Sequence, residues 1–342
     1  MKKLQPTEYM YASARVRSLE NRLVGRERLE LLVDARSSDE VMDRLAEYGV
    51  KPAEEADGST PAGEAVSAAR EGMLLTVLRE AFDEVEHAVP DPALFRYFRY
   101  PYDCNNIKTA IKCAVRGISA ADLLFDFGTV PAARVEELLR EGKYSDFPAA
   151  MAAAIPEARD AYDRTGDPRR IDTVLDRACY TDMTAAAEAT ADETLIGWLR
   201  AKIDLTNLLT TLRILRMGMG TAGEAFLSEA LLSGGTLETG FFRDAYGQGE
   251  AGFWEALSPT AYYRLAHVEG DPRPLYAVEK ACDDLYMDKI REGARIPFGA
   301  PVAGGYLVGC ETAVKNIRIL LAAKDAGLGT DVIRERMRVS YV

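Results

Sequence analysis

Asp103-Cys104-Asn105-Asn106-Ile107 recurs as Asp204-Leu205-Thr206-Asn207-Leu208, 101 residues further along the chain. Each pentapeptide opens or lies inside a run whose apolar residues follow helical spacing. In the first run these are Ile107, Ala110, Ile111, Ala114 and Ile118, and Gly117 ends the helix. In the second they are Leu205, Leu208, Leu209, Leu212 and Leu215, and Gly218 ends it. Downstream of each stands a Gly-Thr-apolar triplet that starts a short helix, Gly128-Thr129-Val130 and Gly235-Thr236-Leu237, 107 residues apart. A weaker third copy is Glu311 to Leu321, with Asn316-Ile317-Arg318, ending at Gly327 ahead of Thr330. A period near 100 residues is too long for the common solenoids. It predicts about three similar helical lobes; the alternative is chance recurrence of short patterns in a helical chain.

Around these copies the chain reads as helix almost throughout. Helices are predicted over 9–23, 38–48 (with Ser37 or Ser38 as N-cap), 65–89, 105–116, 120–125 and 131–141. Further on they cover 170–217 with a break near Asp192, then short helices after the 218–223 turn, a Gly/Pro-rich stretch over 269–274, and helices over 276–292, 302–326 and 331–338. The Pro/Gly-rich stretch 49–63 reads as a loop, and Asp103, just after Pro101-Tyr102, as an N-cap. Asp204 falls in mid-helix, so a polar contact between helices is the better use for it. Ala, Leu, Glu, Arg and Met abound and β-branched runs are scarce, so the fold class is all-α.

Composition narrows the function. The 342 residues are 48% hydrophobic and 28% charged, enough for a sizeable core. The net charge of −12 argues against a nucleic-acid binder, because phosphate neutralisation supplies most of such affinity. The five cysteines form no C-x-x-C, and the two histidines, His87 and His267, have no ligand spacing, so no metal is expected. The first eight residues lack the apolar stretch of a signal peptide. The most apolar stretch, Pro301 to Ala323, is interrupted by Glu311, Lys315 and Arg318, so no membrane span is expected.

Gly218-Met219-Gly220-Thr221-Ala222-Gly223 fits the dinucleotide fingerprint G-x-G-x-x-G, with Glu238 about twenty residues on. That fingerprint needs a strand before it, and the preceding leucines have helical spacing. A turn between two helices is therefore the preferred reading, and a soluble dinucleotide-binding enzyme the alternative. A phosphate loop is absent, since Gly142-Lys143 is followed by Tyr144. No Ser/His/Asp or Cys/His arrangement stands out, so no catalytic residue is assigned. Lys108, Lys112 and Arg116 line one helix face, and Arg213 with Arg216 and Lys315 with Arg318 make shorter versions. They read either as a solvated face or as a rim that meets acidic partners.

Several of these stretches, in order, resemble the C/d-subunit family of V/A-type rotary ATPases. Tyr9-Met10-Tyr11-Ala12-Ser13-Ala14-Arg15-Val16-Arg17, with Leu19 and Leu23, is similar to the family's opening Y-x-Y-x-x-A-R-V-R. Tyr102-Asp103-Cys104-Asn105-Asn106-Ile107-Lys108 resembles Y-D-x-x-N-x-K. Lys202-Ile203-Asp204-Leu205-Thr206-Asn207-Leu208, with Leu212-Arg213, resembles K-I-D-x-x-N-x…L-R. Val278-Glu279-Lys280 with Asp283 resembles a V-E-x-x-x-D helix. Tyr306 to Glu311, Lys315 to Arg318, and Ile333, Arg334 and Arg336 resemble the closing segment. Two positions depart: Cys310 stands where the family often has Lys, and Ala313 where it often has Glu.

The resemblance implies a funnel of three similar lobes with pseudo-threefold symmetry, bounded here near 1–117, 118–217 and 218–342. It implies a non-catalytic rotor adaptor without cofactor or metal. Its partners would be the D and F subunits of the central shaft and the proteolipid c/K ring, at the cytoplasmic face of the membrane. It would bind no nucleic acid. Candidate partner-contact or lobe-packing residues are Arg15, Arg17, Asp103, Asn106, Lys108, Asp204, Asn207, Arg213, Glu311, Asn316 and Arg318. A helical-repeat scaffold unrelated to rotary ATPases is the remaining alternative.

Overall fold

A computed structural model describes residues 4–50 and 62–342, with the side chains of 62–68 excepted. Most of the expected 49–63 loop lies outside the described residues. Every regular element among the described residues is helical. The α-helices are α1 (Met10–Glu20), α2 (Arg26–Val33), α3 (Ser38–Glu47), α4 (Ala62–Ala88), α5 (Tyr100–Arg116), α6 (Ala132–Glu141), α7 (Ala149–Thr165) and α8 (Arg169–Ala189). They continue as α9 (Glu193–Met217), α10 (Gly220–Ala230), α11 (Thr239–Gly247), α12 (Gly249–Leu257), α13 (Leu275–Gly293), α14 (Ala300–Asp325) and α15 (Thr330–Arg336). The all-α expectation holds.

Two compact units form. One is continuous, Ala93–His267, and holds α5 to α12. The other joins Leu4–Pro92 with Val268–Val342 and so builds α1–α4 and α13–α15 into one body from two distant stretches. The first unit contains both strong copies of the repeated pentapeptide and the second contains the weak one.

Each unit is organised on a long central helix. In the first, α9 is in contact with α8, α10, α11 and α12. Its buried residues, among them Leu195, Trp198, Ile203, Leu205, Leu208 and Leu212, leave few exposed positions. In the second, α14 meets α1, α3, α4, α13 and α15, and every residue from Ala300 to Cys310 is buried. This is the stretch with the most membrane-like composition, and a helix apolar on all sides is what a protein core also demands. No helix of the described residues is long and apolar enough to cross a membrane.

Local signals set most boundaries. The Ser37 hydroxyl accepts from Glu40 N (3.2 Å) at the start of α3. Asp192 accepts from Thr194 N and Leu195 N, which places the break between α8 and α9 where it was expected. Gly117, Gly142, Gly166 and Gly218 end their helices in the left-handed conformation. Helices α2 and α7 have no counterpart in the sequence reading. The first turn of α7 follows Pro148, which offers no capping side chain. Its orphan amides at Ala150 and Met151 are instead taken by the Asp182 carboxylate of α8, at 2.8 and 2.9 Å. Nothing near residue 149 announces that partner.

Two expectations are corrected. Helix α5 begins at Tyr100, with Arg99 at the cap position, so Asp103 lies inside the helix and is not its N-cap. Pro101 suits an early helical position and lets the helix start before Asp103. The buried stripe of α5 also ends early: Ala114 and Ile118 are exposed.

The residues before the glycine fingerprint, Thr211 to Met217, are the last turns of α9, so the strand that a dinucleotide site requires is replaced by helix. The glycines have other uses. Gly218 caps α9, and Gly223 lets Tyr246 lie against α10 and donate to Gly220 O at 2.9 Å. A Cβ on Gly223 would stand 2.2 Å from the Tyr246 hydroxyl oxygen. Gly223→Ala is therefore expected to destabilise the protein by about 1–3 kcal/mol through overpacking. Tyr246→Phe in the same background should recover part of that loss, as read from urea-unfolding midpoints.

Candidate functional site

The repeated asparagines do one job three times. The Asn106 carboxamide donates to Phe125 O (2.7 Å) and accepts from Phe125 N (2.9 Å). Asn207 does the same with Leu232, at 2.9 and 2.9 Å. Asn316 does it with Arg338, at 3.0 and 2.9 Å. All three side chains are buried. Each thus replaces a strand neighbour: it satisfies both backbone groups of one residue in a loop that has no other regular partner. The gripped loops follow their asparagines by 19, 25 and 22 residues. This variable spacing hides the device from a search at fixed period.

The aspartates add a second grip. Asp103 accepts from Thr129 N (3.0 Å), the Thr129 hydroxyl (2.7 Å) and Val130 N (3.1 Å). Asp204 accepts from Thr236 N and Leu237 N, both at 3.0 Å, and from the Tyr262 hydroxyl at 2.7 Å. The two sequence signals, the D-x-x-N helix and the Gly-Thr-apolar triplet, are therefore the two halves of one contact. The glycine has a steric role in it. A Cβ on Gly128 would lie 2.0 Å from Asp103 Oδ1, and one on Gly235 would lie 2.1 Å from Asp204 Oδ1. Burial raises both carboxyls above the usual aspartate range, against the opposing pull of these hydrogen bonds.

In the third copy both halves change together. The position three residues before Asn316 is Ala313, and the one three residues after the gripped Arg338 is Tyr341, where the other copies have Asp and Gly. An acid at 313 would meet a side chain at 341 where the other copies have none. Tyr341 instead packs its ring onto Gly305 and Gly309 of α14, where added Cβ atoms would lie 3.0 and 2.9 Å from it. The loop is held from α13 instead. Asp284 accepts from Val339 N (2.7 Å), and Asp283 pairs with Arg338 (2.9 Å) and Lys315 (2.5 Å). Tyr262, Asp182 and Tyr341 all escaped the sequence reading, because none belongs to a repeated motif.

The basic residues pair within their own units. Lys108 and Lys112 on α5 meet Asp176 (2.8 Å) and Asp172 (2.5 Å) on α8. Burial works against the Lys108 charge, but Asp176 and its neighbours outweigh it and raise its pKa. Arg216 holds Glu250 at 2.6 Å, and Arg318 holds Glu71 of α4 in a two-pronged pair. Arg15 makes a similar pair with Glu84, at 3.0 and 2.7 Å, tying α1 to α4. Arg17 donates to Ala294 O (2.5 Å) and Ile296 O (3.1 Å), tying α1 to the end of α13. Arg213 is exposed on α9 and lines a cleft of about 360 Å³ with Asp172, Asp176 and Phe226. Glu311 is half-buried on α14, next to the buried Cys310. Burial pushes that thiol up to about 12, against an opposing effect of Tyr306. The site residues thus fall into separate scaffold contacts and do not converge on one pocket. No cluster of metal-ligating side chains occurs among the described residues.

The described residues form packed helices without a strand, and their repeated polar residues grip the protein's own loops, which defines an all-helical protein. The chain belongs to the ATP synthase (C/AC39) subunit family, whose pattern it matches over residues 12–336. It is 25% identical to the C subunit of the A-type ATP synthase of Methanocaldococcus jannaschii, covering 95% of this chain and 85% of that one. It is 23% identical to the C subunit of the V-type sodium ATPase of Enterococcus hirae, over 76% and 79% of the two chains. For the C subunit of the V-type ATP synthase of Thermus thermophilus the identity is 24%, over 69% and 71%.

The aspartate and its glycine should be coupled. Gly235→Ala and Asp204→Ala are each expected to cost about 1–3 kcal/mol, the first by overpacking and the second by leaving buried donors unpaired. The double variant should cost clearly less than their sum, because the second change removes the atom with which the first collides; a double-mutant cycle in urea checks this. Full additivity would break the proposed link.

The raised carboxyls also set a pH dependence. In the folded state Asp204 holds its proton to higher pH than in the unfolded chain, so its contribution to stability falls as pH rises out of the usual aspartate range. Asp204→Asn removes that titration. The difference in unfolding free energy between the parent and Asp204→Asn should therefore be larger just above the usual aspartate range than at neutral pH.

Proposed function

We propose that this chain is a non-catalytic adaptor of the central rotor in a V/A-type ATPase. It couples the D–F shaft to the membrane proteolipid ring at the cytoplasmic face, and so links ATP hydrolysis or synthesis to H+ or Na+ transport. The observation that carries this reading is the family match over residues 12–336. The names of the relatives agree with it, since each is the C subunit of an ATP synthase or ion-pumping ATPase.

The physical character of the scaffold supports the same role. An adaptor that transmits torque must resist shear between its parts. Close-packed helices have low compressibility. Here the connecting loops are also pinned to buried helices by doubly hydrogen-bonded carboxamides. On this reading there are three lobes, bounded near residues 117 and 217, each contributing one gripping asparagine; the Asn106 and Asn207 grips reach across those boundaries to Phe125 and Leu232. Asp103, Asn106, Asp204, Asn207 and Asn316 take the lobe-packing role.

The test is reconstitution. The purified chain should be recovered with the D–F shaft and, separately, with the detergent-solubilised ring. Complexes assembled without it should still hydrolyse ATP in the head but lose ATP-driven ion pumping. Recovery with neither partner, or pumping that persists without the chain, would overturn the adaptor reading.

A further inference from the structure

A cleft of about 770 Å³ opens within the second unit, between the end of α1, the residues just after α3, and the flanks of α4 and α14. Small-molecule sites are commonly about 300–1,000 Å³. Its α4 wall runs from Met73 to His87, roughly 21 Å of helix. The walls are apolar at Leu19, Leu23, Val50, Met73, Val77 and Ala81. An apolar cleft of this size takes its selectivity from the few polar groups that face it.

The acids that line the cleft are already engaged. Glu84 is held by two nitrogens of Arg15, at 3.0 and 2.7 Å. Glu80 and Asp83 have partners of their own. His87 meets Asp83 O through Nδ1 at 2.6 Å. Two donors, by contrast, are unspent. Arg22 is exposed, and its guanidinium makes no hydrogen bond or ion pair among the described residues. Tyr306 is only 6% exposed, yet it lines the same cleft, and its hydroxyl meets no oxygen or nitrogen partner among the described residues. Cys310 stands one turn further along α14, and a thiol is a weak partner. A buried hydroxyl without a strong partner is unusual in a folded protein. Burial above all keeps that hydroxyl protonated beyond the ordinary tyrosine range, while the Arg22 charge acts on it in the opposing sense.

A cation and an O–H donor facing an apolar cleft suit an acceptor that carries negative charge. The guanidinium presents its N–H groups in a planar fork that matches a carboxylate. The net charge of −12 opposes this little, because charges beyond about 10 Å are screened at 0.1 M salt. We propose that the cleft binds a small amphiphilic carboxylate of the medium-chain fatty acid type. The head accepts from Arg22 and Tyr306, and the aliphatic chain lies along Leu19, Leu23, Met73 and Val77. No scaffold contact described above uses the Arg22 guanidinium or the Tyr306 hydroxyl, and the site does not depend on the rotor reading.

The test titrates octanoate into the full-length chain carrying isotope-labelled methionine methyl groups, with Met73→Leu to assign the signal that lines the cleft. The expected result is saturable binding at one site with the largest shift at Met73. Octanoate should bind more tightly than octanol or octylammonium, which share its chain and differ in head group. Arg22→Ala and Tyr306→Phe should each weaken octanoate about tenfold, the loss of one hydrogen bond to a charged group. Arg164→Ala, an exposed change in the other unit, should leave it unchanged. Circular dichroism and urea midpoints establish that each variant is folded, and the exposed Arg22 gives a variant free of core disruption. Octylammonium or octanol binding as tightly as octanoate would overturn the proposal. So would octanoate binding indifferent to both variants, shifts centred away from Met73, or no saturable binding below the concentration at which octanoate aggregates.

Discussion

Three buried asparagines, each bonded to both backbone groups of one distant residue, are the constraint on which the loops of this protein depend. In a helical protein the backbone of a helix is satisfied internally, but a connecting loop brings unpaired N–H and C=O groups toward the core. Leaving such a buried group unpaired costs about 1–3 kcal/mol. Asn106, Asn207 and Asn316 remove that cost for Phe125, Leu232 and Arg338 with a single side chain each. The carboxamide is the one neutral side-chain group, shared with Gln, that presents a donor and an acceptor side by side. This is why the asparagine persists in all three copies while its surroundings change.

The aspartate grip is stricter and therefore less widespread. It needs an acid on the helix and a glycine on the loop at once, because the carboxylate sits within 2.1 Å of where a Cβ would be. Two copies keep both. The third keeps neither, and fills the space from the loop side with Tyr341 while α13 supplies Asp283 and Asp284 to hold the turn. The change at Ala313 is thus half of an exchange of bulk between helix and loop. It follows that the weak third copy is a different solution to the same loop-holding problem and not a decayed version of the first two.

Charge is spent inside the scaffold as well. The basic stripe on α5 faces the acids of α8, and Arg15 and Arg318 each fix another helix to α4. Exposed pairs of this kind add little individually, often under about 1 kcal/mol. Their value here lies in orientation, since a two-pronged guanidinium–carboxylate pair resists rotation of one helix past its neighbour. Contacts of this kind fix the mutual orientation of the helices more than they add raw stability.

The amino-acid sequence by itself determined the helical class, most helix boundaries and the recurrence that marks the site. Those features rest on local chemistry: helical spacing of leucines, the caps at Ser37 and Asp192, and terminating glycines such as Gly117 and Gly218. It also carried enough of the repeated segments to indicate the family. Tertiary structure alone decided what the repeated residues do. Asp103 followed a proline and so resembled a cap, whereas its hydrogen bonds go to a turn 26 and 27 residues away. Asp182, Tyr262 and Tyr341 had no local signal, because their partners are brought near only by packing. The same reason hid the pairing of Gly128 with Asp103 and of Gly235 with Asp204. Each residue was visible as part of a repeat, but a steric requirement between them exists only once helix and loop touch.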